Sequence, residues 1–315
     1  MREHHEVLRA AYDVLGERAR RHVALGPLTT YGVGGKAALF LENCGPDELA
    51  LARRAVAASG VPVLVIGRGS NLLVSDRGFP GLALTLGEPF AAIHIDEGDI
   101  RVRAGGAVSF PVLARRTATL GLRGLEWAVG VPGSVGGAVR MNAGGHGSDV
   151  EAVLRRAWLF DLAGNPDEGG IEVPTADLDL GYRRSAVGPL QVVVAAEFAL
   201  AAGDRAKAEE ELAAVVRWRR EHQPGGSNAG SVFANPEGDS AGRLIDAAGL
   251  RGHRRGSAFV SPKHANFIQV DTGGSADDVR ALIDEVQATV HDRFGITLAL
   301  ENRLIGFDIS PSTEG

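Results

Sequence analysis

The chain has 315 residues and a formal net charge of −6, and 44% of its residues are hydrophobic while 23% are charged. This balance is typical of a globular protein long enough for two domains. The modest, dispersed charge argues against a nucleic-acid partner. The single cysteine, Cys44, excludes an internal disulfide and a multi-cysteine metal site, so no metal is expected.

The N-terminal segment predicts an amphipathic helix. It has no apolar core of the kind that marks a signal peptide. No stretch of the chain reaches the eighteen or so apolar residues that a membrane-spanning helix needs. We therefore expect a cytoplasmic protein with no membrane partner.

The first two hundred residues are rich in predicted strands. One helix is predicted with Asp47 as its N-terminal cap and Gly60 just past its end. Short apolar runs between turn residues predict strands at 61–67, 81–86, 100–105, 155–161 and 191–200, and a helix at about 109–121.

From about residue 203 the pattern changes to alternating helices and strands. Ser275 and Asp278 have the spacing of a capping box, and Gly295 marks the end of the helix that they begin. The other elements predicted here are a charged helix ending at residue 222, a helix at 239–248, a strand at 257–270 and a strand at 296–307.

Alternation along the last predicted strand separates its side chains. Asn302 shares a face with apolar Leu298 and Leu300, and Glu301 and Arg303 share the other. The change of pattern predicts an N-terminal domain at 1–202, a smaller α+β domain at 203–307 and a flexible tail at 308–315. Clefts between such domains commonly hold ligands.

Two glycine-rich loops are the most unusual feature of the sequence. The first, at 67–81, reads GRGSNLLVSDRGFPG and lacks the pattern of a dinucleotide fingerprint or a P-loop. Its Gly67, Gly69 and Ser70 can point their N–H groups into one concavity, with Asn71 as a further donor, although plain turns are the commoner use of such residues. The second, at 130–147, contains seven glycines in eighteen residues. Together the loops suit a large anionic cofactor gripped from two sides.

These loops also carry a family resemblance. The first loop, followed by GLEWAVGVPGSVGGAVRMNAG, resembles the flavin-binding domain of the vanillyl-alcohol oxidase (PCMH) type. The chain is similar over nearly its whole length to the UDP-N-acetylenolpyruvoylglucosamine reductase family, through GYRRS, HQPGGSNAGSVFANP, LIDAAGLRG, KHANF and LALENRLIG. The resemblance implies an α+β protein, in which a strand-rich FAD-binding domain at 1–202 precedes a UDP-sugar-binding domain at 203–307.

The resemblance also implies a reaction. FAD would be bound non-covalently, and NADPH would reduce it first and leave. The enolpyruvyl UDP-sugar would then accept hydride from flavin N5 at its C3 carbon, and an acid would protonate C2. The protein is expected to act as a monomer.

Three residues match the catalytic positions of the family. Ser231 matches the proton donor, Arg183 the arginine that binds the substrate carboxylate, and Glu301 the carboxyl group that polarises the enolate. Arg184 competes with Arg183, which is preferred because it directly follows the tyrosine. Taken singly, each also fits a structural role, as a turn serine, a solvated arginine or the exposed face of an edge strand.

The resemblance supplies the remaining site residues. Cofactor contacts are expected at Gly34, Gly35, Gly67, Arg68, Gly69, Ser70, Asn71, Pro132, Gly133, Ser134, Gly136, Gly137, Asn142, Ala143, Gly144 and Arg303. Substrate contacts are expected at Tyr182, Arg219, His222, Asn235, Lys263, His264 and Asn266.

Several features depart from the family pattern. Asn302 stands where an aliphatic residue is expected, GGHG at 144–147 replaces a more usual alanine–tyrosine, and Arg140 is unusual in the second loop. The segment from 183 to 231 is short and resembles the form without a tyrosine-bearing lid. Two alternatives stay open, namely an oxidase or dehydrogenase of a hydroxy acid or sugar on the same flavin fold, and a catalytically silent UDP-sugar-binding protein.

Overall fold

The structure is a computed structural model that describes residues 2–96, 98, 100–165 and 169–307. The predicted tail at 308–315 lies outside the described residues. No helix in the described part of the chain is both long enough and apolar enough to cross a membrane.

The α-helices follow local sequence signals closely. They are α1 (Arg2–Leu15), α2 (Pro46–Ser59), α3 (Phe110–Thr119), α4 (Val135–Arg140), α5 (Arg205–His222), α6 (Ala241–Ala247) and α7 (Ala276–Phe294). Helix α2 ends at Gly60 and α7 at Gly295, each in the left-handed conformation that glycine adopts without steric cost. The predicted ends of these helices and of α5 are therefore confirmed.

The strands are mostly short. They are β1 (Arg20–Ala24), β2 (Lys36–Cys44), β3 (Val63–Ile66), β4 (Leu72–Val74), β5 (Phe79–Leu86), β6 (Ile93–Asp96), β7 (Arg101–Gly105), β8 (Leu122–Arg123), β9 (Gly144–Gly145), β10 (Ser148–Asp149), β11 (Leu154–Asp161), β12 (Ile171–Pro174), β13 (Gln191–Ala199), β14 (Ala201–Ala202), β15 (Arg254–Arg255), β16 (Ala258–Val260), β17 (Ile268–Val270) and β18 (Arg303–Ile305).

The chain forms two compact units, and neither is one continuous run of sequence. The first unit contains residues up to 21, 39–68 and 81–221, and the second contains 22–38, 69–80 and the chain from 222 onward. The predicted division into functional domains at residue 203 stays a prediction.

The first unit is built around a five-stranded sheet of order β12-β11-β13-β7-β6. Successive side chains of β11 point to opposite faces of this sheet. Leu159 belongs to a core formed with α3 and α4, whereas Phe160 belongs to a second core formed with α1 and α2. A four-stranded sheet of order β1-β2-β5-β3 contributes to the second core.

The second unit packs α6 and α7 on a three-stranded sheet of order β15-β16-β17. Its core also contains side chains from segments that are distant in sequence, among them Tyr31, Leu73 and Phe233. Strand β18 pairs in parallel with β4, so residues 303–305 are held against a strand within the first glycine-rich loop.

Two predicted strands are wrong in extent. The segment at 257–270 forms the antiparallel pair β16 and β17 with a turn between them, because the Ser261 hydroxyl accepts hydrogen bonds from the N–H groups of Lys263 and His264. The predicted strand at 296–307 is regular only at β18, and before it Leu300 makes an isolated bridge to Phe233.

Two predicted helix starts differ, and at a third helix only part of the predicted cap forms. Gly45 rather than Asp47 caps α2, and α6 begins one residue after its cap, Ser240. Ser275 caps α7 as predicted, but the Asp278 carboxylate accepts hydrogen bonds from the N–H and hydroxyl of Ser257 instead of completing a capping box.

Candidate active site

The second glycine-rich loop enters the short helix α4 in the first unit. The buried Ser134 hydroxyl accepts a hydrogen bond from the Gly137 N–H at 3.2 Å and so caps that helix. The Gly136 N–H donates to the Gly106 carbonyl at 2.9 Å, and a Cβ added to Gly136 would lie 3.0 Å from the Val193 carbonyl. The loop is therefore fixed against the sheet by its own backbone.

Gly67 brings the first loop against the second. A Cβ at Gly67 would overlap the Ser134 hydroxyl, so only glycine allows this approach. The first loop passes from the first unit to the second between Arg68 and Gly69.

Other glycines predicted to contact the cofactor are packed against the chain itself. An added Cβ would overlap the Leu28 carbonyl at Gly69 and the Asp76 carbonyl at Gly35, and at Gly34 it would lie 2.6 Å from the Val74 carbonyl. At these three positions the close approach that requires glycine is backbone to backbone. Contact with a cofactor at the same positions stays a prediction.

One polar group on the segment that contacts the first loop fits a polar cofactor. The Thr30 hydroxyl is buried and has no hydrogen-bond partner in the described part of the chain. The Thr30 N–H donates to the Gly69 carbonyl at 3.2 Å, so this hydroxyl lies beside the glycines. Because buried polar groups are normally paired, the hydroxyl suits a bound phosphate or ribose oxygen. Thr30 could not be predicted from the sequence, since a threonine in a loop carries no distinguishing pattern.

Arg183 lies in a tight turn of the first unit. Gly181 and Arg184 exchange backbone hydrogen bonds of 3.1 Å, and Arg183 between them has a φ of 58°. Its guanidinium donates to the Gly144 carbonyl at 3.1 Å, which places the arginine on the second glycine-rich loop. Arg184 is exposed and pairs with Asp179 at 2.8 Å. The geometry thus favours Arg183 over Arg184 as the site residue.

Two side chains of the second loop hydrogen-bond to neighbouring segments of the first unit. The buried Asn142 side chain donates to the Gly181 carbonyl at 3.0 Å and accepts from the Glu151 N–H at 2.9 Å. Arg140, unusual by sequence, donates to the Gly188 carbonyl at 2.6 Å. Asn142 therefore connects the loop to the turn that contains Arg183, and Arg140 connects it to the chain that follows this turn.

Arg219 packs on the start of the second loop. A Cβ at Gly130 would lie 3.2 Å from the Arg219 side chain, and burial lowers the pKa of this guanidinium. His146 contacts the Trp218 ring edge-on, at a centroid distance of 5.0 Å. Burial, followed by the charge of Arg219, lowers the pKa of His146, so the ring is neutral at neutral pH.

The segment around Ser231 is held on both sides within the second unit. On one side, Asn266 exchanges side-chain hydrogen bonds with the backbone of Phe233 at 3.0 and 2.8 Å, and its carbonyl accepts from the Val232 N–H at 2.9 Å. On the other side, the Glu301 N–H donates to the Val232 carbonyl at 2.8 Å. Among the described residues, nothing hydrogen-bonds to the Ser231 hydroxyl.

Asn71 of the first loop hydrogen-bonds to the segment that contains Glu301 and Asn302. Its side chain donates to the Glu301 carbonyl at 3.0 Å and accepts from the Asn302 carboxamide at 3.0 Å, while its own carbonyl accepts from the Arg303 N–H at 2.9 Å. Asn71 thus positions the segment that carries Glu301. A contact of Asn71 with the cofactor stays a prediction.

Asn302 is the polar residue whose role the sequence analysis missed. It is 3% exposed and hydrogen-bonds to three separate segments of the second unit, at Tyr31, at Asn71 and at 229–231. Its position on the otherwise apolar face of the last predicted strand was a signal for a buried polar contact.

In the KHANF segment, His264 lies beside Asn266, the residue that holds the backbone after Ser231. The Asn266 N–H donates to His264 Nδ1 at 3.2 Å, which assigns the neutral Nε2–H tautomer. Burial is the main cause that lowers the pKa of His264, and the charges of Arg251 and His222 add to it. His222 therefore lies within electrostatic reach of His264.

The remaining predicted contact residues occupy these same loops and turns. Most of them are exposed, namely Arg68, Pro132, Gly137, Tyr182, His222, Asn235, Lys263 and Arg303. The half-buried ones are Ser70, Ala143 and Gly144, and the buried one is Gly133. The Asn235 side chain accepts from the Ala241 N–H at 3.1 Å, at the start of α6.

Comparisons with known proteins add independent information. A family model for the C-terminal domain of UDP-N-acetylenolpyruvoylglucosamine reductase matches residues 222–305, and one for an FAD binding domain matches 40–161. The chain is 40% identical over 291 residues to UDP-N-acetylenolpyruvoylglucosamine reductase 2 of Symbiobacterium thermophilum, covering 92% of each protein. It is 43% identical over 282 residues to the reductase of Heliobacterium modesticaldum, covering 88% of each.

A solved structure agrees with these relatives. The UDP-N-acetylenolpyruvylglucosamine reductase of Thermus caldophilus matches with a TM-score of 0.79 at 33% identity. The match covers 91% of this chain and 99% of that one.

Gly67→Ala tests the approach of the two loops. The added methyl group overlaps Ser134, and such overpacking costs about 1–3 kcal/mol. We expect FAD affinity to fall roughly 10- to 100-fold, measured by titrating the apoprotein with FAD. Gly169→Ala is the matched control, since its added methyl group meets no atom within 4 Å. Equal FAD affinity in the two variants would contradict the proposed contact.

His264 predicts a pH dependence of stability. Its folded-state pKa is lowered, so its contribution to stability is fully present above the unfolded pKa of about 6.5 and is lost as the pH falls through the folded pKa. Between pH 7.5 and 5, the Tm of the wild type should fall more than that of His264→Gln, by roughly 1–2 °C. Identical Tm changes in the two proteins would show that His264 stays uncoupled from folding.

Proposed function

The chain belongs to the UDP-N-acetylenolpyruvoylglucosamine reductase family, and on this premise we propose that it reduces UDP-N-acetylglucosamine enolpyruvate to UDP-N-acetylmuramate, with NADPH as reductant and FAD as the bound cofactor. The observation that carries the proposal is the identity of 40% and 43% to reductases of that name, over 92% and 88% of the chain. Family membership confirms the resemblance identified in the motifs, the α+β fold class and the class of flavin-containing oxidoreductase.

The reaction defines what the protein must provide. FAD, when bound, supplies the hydride that reaches C3 of the enolpyruvyl group. The addition of hydride to an unsaturated carboxylate builds negative charge at C2 and on the carboxylate. The protein must therefore supply donors aimed at the carboxylate and one proton for C2.

Ser231 is the proposed proton donor. Its hydroxyl has no partner among the described residues, whereas the backbone that follows it is fixed by Asn266 and Glu301. A serine hydroxyl is a weak acid, so it transfers a proton only to a strongly basic centre from which water is excluded. The fixed backbone supports this role, because proton transfer depends on hydrogen-bonding geometry.

Arg183 and Glu301 are proposed to stabilise the developing charge. Arg183 has a guanidinium that is half-buried on the second glycine-rich loop, and its planar fork suits a carboxylate. Glu301 is joined to the Ser231 segment through its backbone hydrogen bond to Val232, which supports a role for its carboxyl group in polarising the enolate.

We propose cationic groups for the nucleotide diphosphate. These are Arg219 and His222, which lie at the end of α5. Lys263 and His264, in the turn between β16 and β17, are proposed to contact the substrate elsewhere, His264 as a neutral donor through Nε2–H. Direct substrate contacts are also proposed for exposed Tyr182 and Asn235. The Asn266 side chain is engaged by Phe233, so we propose that it acts mainly through the Ser231 segment.

The cofactor is proposed to lie against the two glycine-rich loops. The unpaired Thr30 hydroxyl and the contact between Gly67 and Ser134 support this assignment. The flanking loop residues assigned to FAD by the resemblance, and Arg303, are proposed to complete the site. We further propose a monomeric enzyme of the cytoplasm, where UDP-sugars and NADPH are made, that serves cell-wall synthesis.

Ser231→Ala tests the proton donor. Reduction of the flavin by NADPH should stay within about twofold of wild type, because that step needs no proton from Ser231. Reoxidation by the enolpyruvyl UDP-sugar should slow by roughly 10²-fold or more. Each step is followed by stopped-flow absorbance without oxygen.

Ser227→Ala is the control in the same loop, and both of its half-reactions should match wild type. Equal slowing of the two half-reactions in Ser231→Ala would indicate a structural serine and contradict the assignment.

The two adjacent arginines provide a matched pair. Arg183→Gln should lower kcat/KM for the enolpyruvyl UDP-sugar by roughly 10²-fold, since a charge-assisted contact to the substrate is lost. Arg184→Gln removes only an exposed pair with Asp179 and should stay within about threefold of wild type. Steady-state kinetics of both variants decide the assignment, and a larger loss in Arg184→Gln would reverse it.

A further inference from the structure

A single buried carboxamide joins three segments of the second unit. Asn302 Nδ2 lies 3.0 Å from Asn71 Oδ1, 3.1 Å from the Ala229 carbonyl and 3.3 Å from the Ser231 carbonyl. On the other end, Asn302 Oδ1 accepts from the Tyr31 hydroxyl at 3.5 Å. Every polar atom of the side chain is therefore engaged inside the unit.

Burial makes these hydrogen bonds specific. Asn302 is 3% exposed and Tyr31 is 1% exposed, so water does not compete at either residue. Burial also raises the pKa of Tyr31, which keeps its hydroxyl protonated as a donor. Burying a carboxamide among apolar side chains is costly unless it is paired, so the arrangement tolerates little displacement of its partners.

The partners of Asn302 bracket the turn that ends at Ser231. Its Nδ2 contacts the carbonyls of Ala229 and Ser231, while Gly230 between them has a φ of 76°. Asn266 holds the next two residues, Val232 and Phe233, by their backbone. Among the described residues, Asn302 is the only side chain that hydrogen-bonds to the backbone of Ser231 itself.

We propose that Asn302 is a positioning residue for proton transfer, because it fixes the Ala229–Ser231 turn and thereby the direction of the Ser231 hydroxyl. The inference rests on the proposed function, in which Ser231 protonates C2. It gives a reason for a polar residue at a position where the family pattern has an aliphatic one. Asn302 acts through Ser231 and needs no contact with the substrate.

Asn302→Leu, which keeps the side-chain shape and removes its hydrogen bonds, tests the inference. Reduction of the flavin by NADPH should stay within about twofold of wild type, while reoxidation by the enolpyruvyl UDP-sugar should slow roughly 10- to 100-fold. The control is Gln287→Met, which removes a carboxamide that donates to the Leu298 carbonyl of the same C-terminal segment. Both substitutions should lower Tm, but only the first should separate the two half-reactions.

A double-mutant cycle separates positioning from general damage. In the Ser231→Ala background, Asn302→Leu should have little further effect on reoxidation, since the group that it positions is gone. The same slowing in both backgrounds would overturn the inference. Amide hydrogen exchange, measured without substrate, gives a second readout. The amides at 230–232 should exchange faster in Asn302→Leu than in Gln287→Met. Equal exchange rates in the two variants would also overturn the inference.

Asn302→Asp covers the case in which Asn302→Leu does not fold. A buried carboxyl group facing carbonyl oxygens has a raised pKa, and its protonated form can donate to the Ser231 carbonyl. Reoxidation should therefore recover as the pH is lowered, and a pH profile parallel to wild type would contradict the inference.

The failure of the inference can be distinguished from the failure of the proposed function. If wild-type flavin is not reoxidised by the enolpyruvyl UDP-sugar, the proposed function itself fails. If wild-type flavin is reoxidised and the Asn302 variants react like Gln287→Met, only the inference fails.

Discussion

The candidate site depends on the backbone hydrogen bonds that hold the segment from Ser231 to Ala234. Asn266 binds this segment on one side, and the chain at 299–302 binds it on the other. A serine hydroxyl is useful as a proton donor only when its direction is fixed, because its acidity is too low to compensate for poor geometry. Around this turn the second unit has two buried carboxamides, those of Asn266 and Asn302, and both are hydrogen-bonded to its backbone.

Several glycines predicted to contact the cofactor also have an intramolecular role. At Gly35, Gly69 and Gly136 the structure packs backbone on backbone, and contact with a cofactor at these positions stays a prediction. This tight packing keeps the loops rigid and brings Gly67 against Ser134. Rigid loops lose little conformational entropy on binding, so cofactor affinity benefits even where a glycine makes no direct contact.

The sequence predicted best what local signals determine. Helices α5 and α7 end where predicted, because the signals that end them are neighbours in sequence. The Ser231 motif could be identified through the family resemblance, since its residues are also local. The partners of Asn302 lie 71 to 271 residues away, and no periodicity indicates such contacts. The strand predicted at 257–270 was wrong for a local reason, because the Ser261 hydroxyl accepts hydrogen bonds from the N–H groups of Lys263 and His264, which a continuous strand would have paired elsewhere.

The visible spectrum of the purified protein, recorded without oxygen, distinguishes a reductase from an oxidase. We expect a flavin band that NADPH bleaches and that returns rapidly when UDP-N-acetylglucosamine enolpyruvate is added. A band that bleaches but returns only with oxygen would contradict the reductase function and favour an oxidase on the same fold. Folded protein with no flavin band, even after incubation with FAD, would contradict the assignment of the two glycine-rich loops.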